Sequence, residues 1–292
     1  MARNPKSRRK RSKTTRKPSR SRNPSGGSRT SQTRGWDSLA TWYDGMVGGS
    51  GSHHHTKLAI PLALDLLALE KGQSLLDIGC GQGVLAPHVI RQGVEYVGID
   101  ASKKLIERAK ARHGNANFVV ADSRRLHKTP ELRDRKFDKA VFLLSIQDMN
   151  PLNEIFISLA QLLKPKAEIV IVMLHPAFRI PRQSGWGFDE KRKLQYRRVD
   201  SYLSELKVPL KSYAAQQKGA AAKYGRGGGV SISFHRPLSA YVNELGKIGF
   251  AVDKMVEVPT FKEVNRGVEN AKAINRANKE IPLFVGLRGK KC

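Results

Sequence analysis

The stretch that most constrains the fold is 75–83, where a short apolar run leads directly into three glycines spaced two residues apart. The run Ser74–Ile78 predicts a strand and 84–92 predicts a helix, so the glycines fall in a strand-to-helix turn. Glycines there allow positive φ angles and let the backbone approach a ligand closely. This pattern predicts the first unit of a sheet that binds its ligand at the carboxyl ends of its strands.

Strand and helix patterns alternate along most of the remaining chain. Further strands are predicted at 96–99, 118–120, 137–144, 168–174, 251–258 and 283–287, and further helices at 36–46, 58–69, 102–112, 153–163 and 236–248. Strands separated by helices of about ten residues are typical of βαβ units with a parallel sheet. The predicted fold class is therefore α/β, in one domain over residues 35–292.

The alternation breaks for about sixty residues after the strand at 168–174. Residues 176–234 are polar and glycine-rich, and hold twelve Lys and Arg against four acids. An excursion of this length after a core strand predicts a cap over the substrate, residues 176–235, with a mobile loop at 225–229. Its basic excess favours an acidic or phosphorylated substrate.

Carboxylates end the second and third predicted strands, at Asp100 and Asp122. Both are expected beside the glycine turn, because the carboxyl ends of parallel strands meet at one sheet edge. An acid in the position of Asp100 accepts hydrogen bonds from both ribose hydroxyls of an adenosine. Asp122 is expected to border an adenine pocket, and Asp77 to accept hydrogen bonds from the amides of the turn. Taken singly, these residues also fit a helix N-cap at Asp100 and a solvated acid at Asp122.

These segments together resemble the motifs of class I S-adenosylmethionine-dependent methyltransferases. Residues 75–83, 97–102 and 119–123 resemble their motifs I, II and III, 137–141 resembles the fourth-strand motif, and 162–167 resembles the lead-in to the fifth strand. NAD-binding Rossmann proteins share a glycine turn followed by an acid, but their third glycine usually comes three residues after the second. Here it comes two residues after, which favours the methyltransferases.

Softer similarities point to the type 11 group of small-molecule methyltransferases. They lie at 42–44, His55, 175–176 and 235–238. The resemblance implies a Rossmann-like sheet of seven strands, mostly parallel with an antiparallel last strand, and helices on both faces. It implies S-adenosylmethionine as cofactor, bound by Tyr43, Asp77, Gly79, Cys80, Gly81, Gly83, Asp100, Ala101, Ser102, Asp122, Ser123 and Ser145.

Transfer of a sulfonium methyl mainly requires alignment of the nucleophile and exclusion of water. A general base helps where the nucleophile is a hydroxyl or a protonated amine. The candidates are Asp148 after the fourth strand, His175 after the fifth, and His55 and His235 beside the entry and cap regions. Each also fits a purely structural role in a cap or a loop. No pattern of metal ligands is present, so no metal is expected.

Some classes of methyltransferase are excluded by the residues at the relevant positions. Cytosine-C5 methylation needs a cysteine nucleophile, but Cys80 lies in the glycine turn and Cys292 is the last residue. Methylation of exocyclic amines uses an Asn/Asp-Pro-Pro-aromatic stretch after the fourth strand, which reads Asp148-Met149-Asn150-Pro151 here. Two cysteines also exclude a disulfide framework and suit a reducing compartment, so we expect a cytoplasmic protein.

Charge is concentrated at the amino terminus. The chain holds 53 Lys and Arg against 25 acids, and residues 1–34 hold thirteen of these cations and no acid. Such a segment is expected to be a disordered tail that binds RNA or DNA non-specifically, and in a eukaryote it would allow a nuclear location. No apolar run is long enough to cross a membrane and no secretory signal is expected.

Three functions remain open at this point. The first is methyl transfer to a small acceptor, acidic or aromatic, by attack of its oxygen or nitrogen on the sulfonium methyl. The second is an RNA-directed methyltransferase tethered by the basic tail. The third is a non-catalytic scaffold of the same fold that binds nucleic acid, against which the intact glycine turn and the three acids argue.

Overall fold

A computed structural model describes residues 31–211 and 230–292 of the chain. The predicted tail lies outside these residues except for 31–34, and so does the predicted loop at 225–229. Residues 31–34 belong to the first helix, which therefore begins four residues before the predicted domain boundary at residue 35.

Seven α-helices lie in the described chain: α1 (Ser31–Val47), α2 (Ile60–Leu67), α3 (Ala86–Ile90), α4 (Lys103–Arg112), α5 (Leu152–Ala160), α6 (Leu238–Lys247) and α7 (Ala271–Glu280). A π-helical turn, His55–Ala59, leads into α2, and 3₁₀ turns cover Ser123–Lys128 and Ile146–Asp148.

The strands are β1 (Ser74–Ile78), β2 (Glu95–Asp100), β3 (Asn117–Val120), β4 (Phe137–Leu143), β5 (Leu163–Leu174), β6 (Ser184–Asp189), β7 (Leu194–Val199), β8 (Leu206–Lys211), β9 (Val230–His235), β10 (Phe250–Val258) and β11 (Phe284–Lys291). Seven of them form one sheet in the order β10-β11-β5-β4-β1-β2-β3. Strand β11 is antiparallel to both neighbours and the other pairs are parallel. The predicted α/β fold, with its antiparallel last strand, is confirmed.

Helices cover both faces of the sheet. Successive residues of a strand point to opposite faces, and here the residues on both faces are apolar. Leu76, Ile78 and Phe142 pack on one face with α5 and α6, while Leu75 and Val141 pack on the other with α2, α3 and α4. Strands buried on both faces are typical of parallel sheets between helical layers. The ends of these strands are thereby held rigidly, which fixes the residues that follow them.

The structure departs from the predicted elements in three places. Strand β5 begins at Leu163, where we predicted the end of a helix, because Leu163 pairs with Phe137 of β4. The excursion after β5 contains two antiparallel hairpins, β6–β7 and β8–β9, which we did not predict. Helix α7 was also missed, because its buried face consists of Ala271, Ala273 and Ala277 and gives only a weak apolar signal. None of the described helices is long and apolar enough to span a membrane.

Candidate active site

A cavity opens at the carboxyl ends of β1, β2 and β4, where open parallel sheets bind their ligands. It contains about 890 Å³ of empty space, part of which is open solvent at its mouth. Its walls combine the predicted turn and strand ends with residues of α1 and of the loop after β4. They are Trp36, Tyr43, Gly79, Gly81, Ile99, Asp100, Ala101, Leu105, Ala121, Asp122, Ser123, Arg124, Leu143, Leu144, Ser145, Asp148, Met149 and Asn150.

The glycine turn forms the floor of this cavity. Gly79 and Gly81 have φ angles of +74° and +55°, which residues with a side chain rarely adopt. A Cβ atom on Gly79 would lie 2.6 Å from side-chain atoms of both Ser145 and Met149. The amides of Gly79 and Cys80 donate to the carbonyl of Ile99, at 2.8 and 2.9 Å, which ties the turn to β2. Only glycine therefore permits this close approach of the turn to the loop after β4.

Asp100 lies at the end of β2 with its carboxylate at the cavity wall. One oxygen accepts from the Gly81 amide at 3.0 Å and the other from the Ser102 amide at 2.8 Å. Burial raises the pKa of Asp100 to about 6, although these two hydrogen bonds favour its charged form. Each carboxylate oxygen has a further lone pair, so the group can still accept hydrogen bonds from a ligand.

Asp77 does not bind the amides of the turn, so that prediction was wrong. One of its oxygens accepts from the Tyr96 hydroxyl at 2.7 Å, and the other, Oδ1, is buried without a hydrogen-bond partner. Ile99 receives the turn amides instead, because the turn folds back towards β2. Burial raises the pKa of Asp77 to about 7. A buried acceptor without a partner is costly, and Asp77 itself does not line the cavity.

Asp122 and Arg124 form an ion pair on the wall beyond β3. The Arg124 side chain donates to Asp122 at 2.5 Å, and its backbone amide donates at 3.0 Å. Burial raises the pKa of Asp122, but the hydrogen bonds and charge of Arg124 outweigh it and hold the pKa below the usual range. Ser123 lies between them on the cavity wall. The sequence predicted Asp122 and Ser123 here but not Arg124.

Helix α1 covers one side of the cavity. Trp36 and Tyr43 line it, with their rings in an edge contact at 5.4 Å. The helix is held to α4 by polar contacts, because Asp37 accepts from the Ser102 hydroxyl at 2.6 Å and Asp44 pairs with Arg112 at 2.5 Å. The sequence predicted a docked helix and named Tyr43, but it missed Trp36.

The loop after β4 lies opposite α1. Ser145, Asp148, Met149 and Asn150 line the cavity there. The Ser145 hydroxyl donates to the Ile78 carbonyl at 2.6 Å, so it anchors this loop to the end of β1. Burial raises the pKa of Asp148 to about 7, and a hydrogen bond from the Ser233 hydroxyl on β9 opposes that rise.

Three of the four candidate bases do not line the cavity. His175 donates from Nε2 to Glu257 at 2.6 Å and accepts the Ala177 amide at Nδ1, so both ring nitrogens are engaged. His55 is buried beside the Ser52 hydroxyl, at 2.8 Å, and burial lowers its pKa to about 4. His235 is buried with Nε2 2.8 Å from the Tyr202 carbonyl. Of the four, only Asp148 shares the cavity with the glycine turn.

Four predicted cofactor residues do not line the cavity: Asp77, described above, and Cys80, Gly83 and Ser102. The Cys80 thiol is buried and donates to the Gly81 carbonyl at 3.7 Å. A Cβ atom on Gly83 would lie 2.7 Å from the Phe118 ring. Ser102 caps α4 by accepting the Leu105 amide at 3.3 Å. These residues shape the turn and the helix start, while Ala101 lies on the wall itself.

Comparison with known proteins decides the family. The profile described as a methyltransferase domain matches residues 52–209, which is more than half of the chain. The chain belongs to the class I S-adenosylmethionine-dependent methyltransferases. The predicted family is therefore confirmed, and S-adenosylmethionine is its cofactor. The narrower resemblance to the type 11 group stays a prediction.

Solved and curated methyltransferases agree with this assignment. The structure of an S-adenosylmethionine-dependent methyltransferase from Mesorhizobium loti superimposes with a TM-score of 0.59 at 25% identity, covering 79% of this chain and 96% of that one. An uncharacterized methyltransferase of Synechocystis is 31% identical over 49% of this chain and 60% of its own length. The ubiquinone biosynthesis O-methyltransferase of Pelagibacter ubique is 36% identical over 37% of this chain and 45% of its own length. The chain thus spans about half the length of the curated relatives it matches.

The cavity of this methyltransferase fits the cofactor on structural grounds. Gly79 and Gly81 leave room that a Cβ atom would fill or strain, and Asp100 offers carboxylate oxygens at the cavity wall. Hydroxyl and amine groups of an adenosyl amino acid need such acceptors. No group of three or more His, Cys, Asp and Glu within residues 31–211 and 230–292 is arranged to hold a metal ion.

Proposed function

We propose that the protein transfers the methyl group of S-adenosylmethionine to an oxygen or nitrogen of a small acceptor. The observation that carries this proposal is that one cavity contains both the cofactor floor, at Gly79, Gly81 and Asp100, and the carboxyl group of Asp148. A site of this kind can hold two reactants side by side and away from water, which is the main requirement of the reaction.

Bound S-adenosylmethionine supplies an electrophilic sulfonium methyl group. The chain contributes the floor that holds the cofactor, the α1 side wall that limits water, and Asp148 as the base that accepts the proton of the attacking group. The pKa of Asp148, about 7, suits this role because a base works best when its pKa lies near the working pH. Met149 and Asn150 complete the wall beside it and would contact the acceptor.

The segment 176–235 is proposed to close the acceptor side as a cap. Its described residues do not line the cavity, but two contacts support the role. The Ser233 hydroxyl lies 3.5 Å from the Gln147 carbonyl, and Arg236, next to the segment, donates to the Asn150 side chain at 2.6 Å. This segment holds twelve cations and four acids, and its positive charge favours an anionic acceptor. The Pelagibacter relative is named for an O-methyl transfer in ubiquinone biosynthesis, which favours a small acceptor.

The test is an assay of methyl transfer with labelled S-adenosylmethionine against fractionated cell extract, with one half of each fraction treated with RNase. Label should enter a small molecule in both halves, and Asp148→Asn should slow this transfer by about 10²–10⁴-fold while Asp134→Asn, an exposed acid, retains it. Label that appears only in RNase-sensitive material would instead support the RNA-directed alternative. Absence of transfer with intact cofactor binding would support the non-catalytic alternative.

A further inference from the structure

Two arginines flank an exposed tryptophan on the β6–β7 hairpin, outside the cavity. The guanidinium carbons of Arg179 and Arg197 lie 5.2 and 5.1 Å from the centroid of the Trp186 ring. Trp186 is 40% exposed. A ring that is held by cations and still open to solvent can accept a further planar partner.

Neither arginine has a carboxylate partner within residues 31–211 and 230–292. Arg179 donates to the Pro282 carbonyl at 3.1 Å, and Arg197 donates to the Phe178 carbonyl at 2.7 Å. Burial, followed by the charge of Arg197, lowers the pKa of Arg179 to about 10. Two like charges are thus held near each other by neutral groups alone, and an anion placed between them would be stabilised.

The positive charge continues along the hairpin. Arg182 and Lys191 are exposed and form no ion pair in the described chain, whereas Arg192 and Lys193 at the tip pair with Asp189 and Glu190. Six-residue strands span about 20 Å, so these cations could follow several phosphates of an extended chain. Helix α7 packs against β7 and adds the exposed cations Lys272 and Arg276.

We propose that this hairpin surface, defined as Arg179, Arg182, Trp186, Lys191 and Arg197, binds single-stranded RNA. The arginines and the lysine contact phosphates, and a base stacks on Trp186. Proteins bind single strands by combining a basic track with aromatic rings, because the faces of unpaired bases are free to stack. A double helix keeps its bases stacked on each other and offers no free face to the indole. The proposal does not depend on the identity of the methyl acceptor.

The surface lies near the sheet edge that holds the cofactor cavity. Arg179 follows the carboxyl end of β5 by five residues and contacts the carbonyl of Pro282, just before β11 starts at that same edge. RNA held on the hairpin would therefore run along the substrate side of the molecule rather than behind the sheet.

The test measures binding of the full-length protein to a fluorescently labelled uridine oligonucleotide of about twenty residues, by anisotropy at low salt. Trp186→Leu should weaken binding by about fivefold or more, since a stacked base contributes about 1–3 kcal/mol. Arg179→Gln/Arg197→Gln should weaken it by about tenfold or more. The control Arg91→Gln/Arg133→Gln removes the same charge from exposed positions elsewhere and should bind as the parent does.

Two further readouts separate this surface from the basic amino-terminal segment and from a folding defect. RNA should quench a part of the tryptophan fluorescence that Trp186→Phe lacks, and heparin, a polyanion without bases, should not. The exposed change Arg182→Gln should weaken RNA binding without lowering the melting temperature. If Trp186→Leu and Arg182→Gln bind RNA as tightly as the parent protein, and the quenching is absent, the proposal is wrong and other cations bind the RNA.

Discussion

Asp77, Asp100 and Asp148 share one property at the scale of single residues. Burial raises the pKa of each above its ordinary value of 3.8, to about 7, about 6 and about 7. Each carboxyl group therefore changes its charge near neutral pH, where an exposed aspartate is already ionised. Groups of this kind cluster at sites that bind ligands or move protons.

Replacement of Asp148 by asparagine tests its assignment as the base. We expect Asp148→Asn to slow methyl transfer by about 10²–10⁴-fold. In the parent protein kcat/KM should rise by about tenfold per pH unit and level off above about pH 7, because only the ionised carboxylate accepts a proton. The measurement is a pH–rate profile with labelled cofactor. An unchanged profile in the variant would mean that another group takes the proton.

Replacement of Asp77 by asparagine tests the cost of its burial. The folded pKa of about 7 lies above the unfolded value of 3.8, so the stability from the protonated form is lost as the pH rises from about 4 to about 7. Asparagine stays neutral at every pH. As the pH rises across that window, the free energy of unfolding of Asp77→Asn should therefore increase relative to that of the parent, by up to ~1.4 kcal/mol per pH unit. Urea unfolding at several pH values measures it. A difference that does not vary with pH contradicts the account.

Residues at the ends of strands could be predicted from the sequence, whereas residues brought in by distant elements could not. Asp100, Asp122 and Ser145 follow directly on apolar runs, so their place at the sheet edge is set by local pattern. Trp36 and Arg124 reach the cavity through the docking of α1 and the turn after β3, which no local pattern specifies. For His55, His175 and His235, the sequence showed a histidine in a plausible place. It did not show the hydrogen-bond partners that hold each imidazole ring away from the cavity.

At the scale of elements, α1 is held beside the cavity both by its buried apolar residues Leu39, Ala40 and Val47 and by polar contacts with α4. Asp44 pairs with Arg112 at 2.5 Å and with Arg108 at 3.2 Å, and both pairs are partly exposed. A loop with positive φ angles at Gly48 and Gly51 follows the helix. Exposed ion pairs are weak in water, so these pairs contribute a modest part of what holds α1 over the cavity.

We expect Asp44→Asn to speed release of S-adenosylhomocysteine by about two- to fivefold, since exposed ion pairs contribute about 0.2–1 kcal/mol each. Release from the parent protein should also quicken with added salt, and the variant should lose most of that dependence. Stopped-flow displacement measures the rate. The control Asp65→Asn removes an exposed pair with Lys254 on another part of the surface and should leave release unchanged. Equal rates for parent and Asp44→Asn would show that these pairs do not hold the helix over the cavity.

The pattern of elements was predictable where hydrophobic periodicity is strong and was missed where it is weak. The seven sheet strands contain short apolar or alternating runs, so their places along the chain followed from the sequence, whereas their order in the sheet was not predicted. Strands β6 and β7 carry polar and glycine residues on both faces, and β8 and β9 alternate apolar and polar residues over only six positions each. Their pairing is set by contacts between strands, which periodicity along one strand cannot indicate.

At the scale of the whole molecule, the charge distribution separates the amino-terminal segment from the folded body. Twelve Lys and Arg precede Ser31, where α1 begins. A chain starting at Ser31 should keep the melting temperature and the affinity for S-adenosylmethionine, and should bind RNA more weakly at low salt. The log–log slope of binding against salt should fall in magnitude by about 0.7–0.9 for each phosphate that the shortened chain no longer neutralises. An unchanged slope would mean that the folded body alone neutralises the RNA phosphates.

The central claim is that the cavity above Gly79, Gly81 and Asp100 binds S-adenosylmethionine. Calorimetric titration of the parent protein, Asp100→Asn and the exposed control Asp134→Asn with this cofactor tests it most directly. The parent and the control should bind equally, and Asp100→Asn about 10–100-fold more weakly, since a charged acceptor contributes about 1.5–3 kcal/mol. NAD should give no heat of binding. Equal affinity of Asp100→Asn, or binding of NAD without binding of S-adenosylmethionine, would contradict the account.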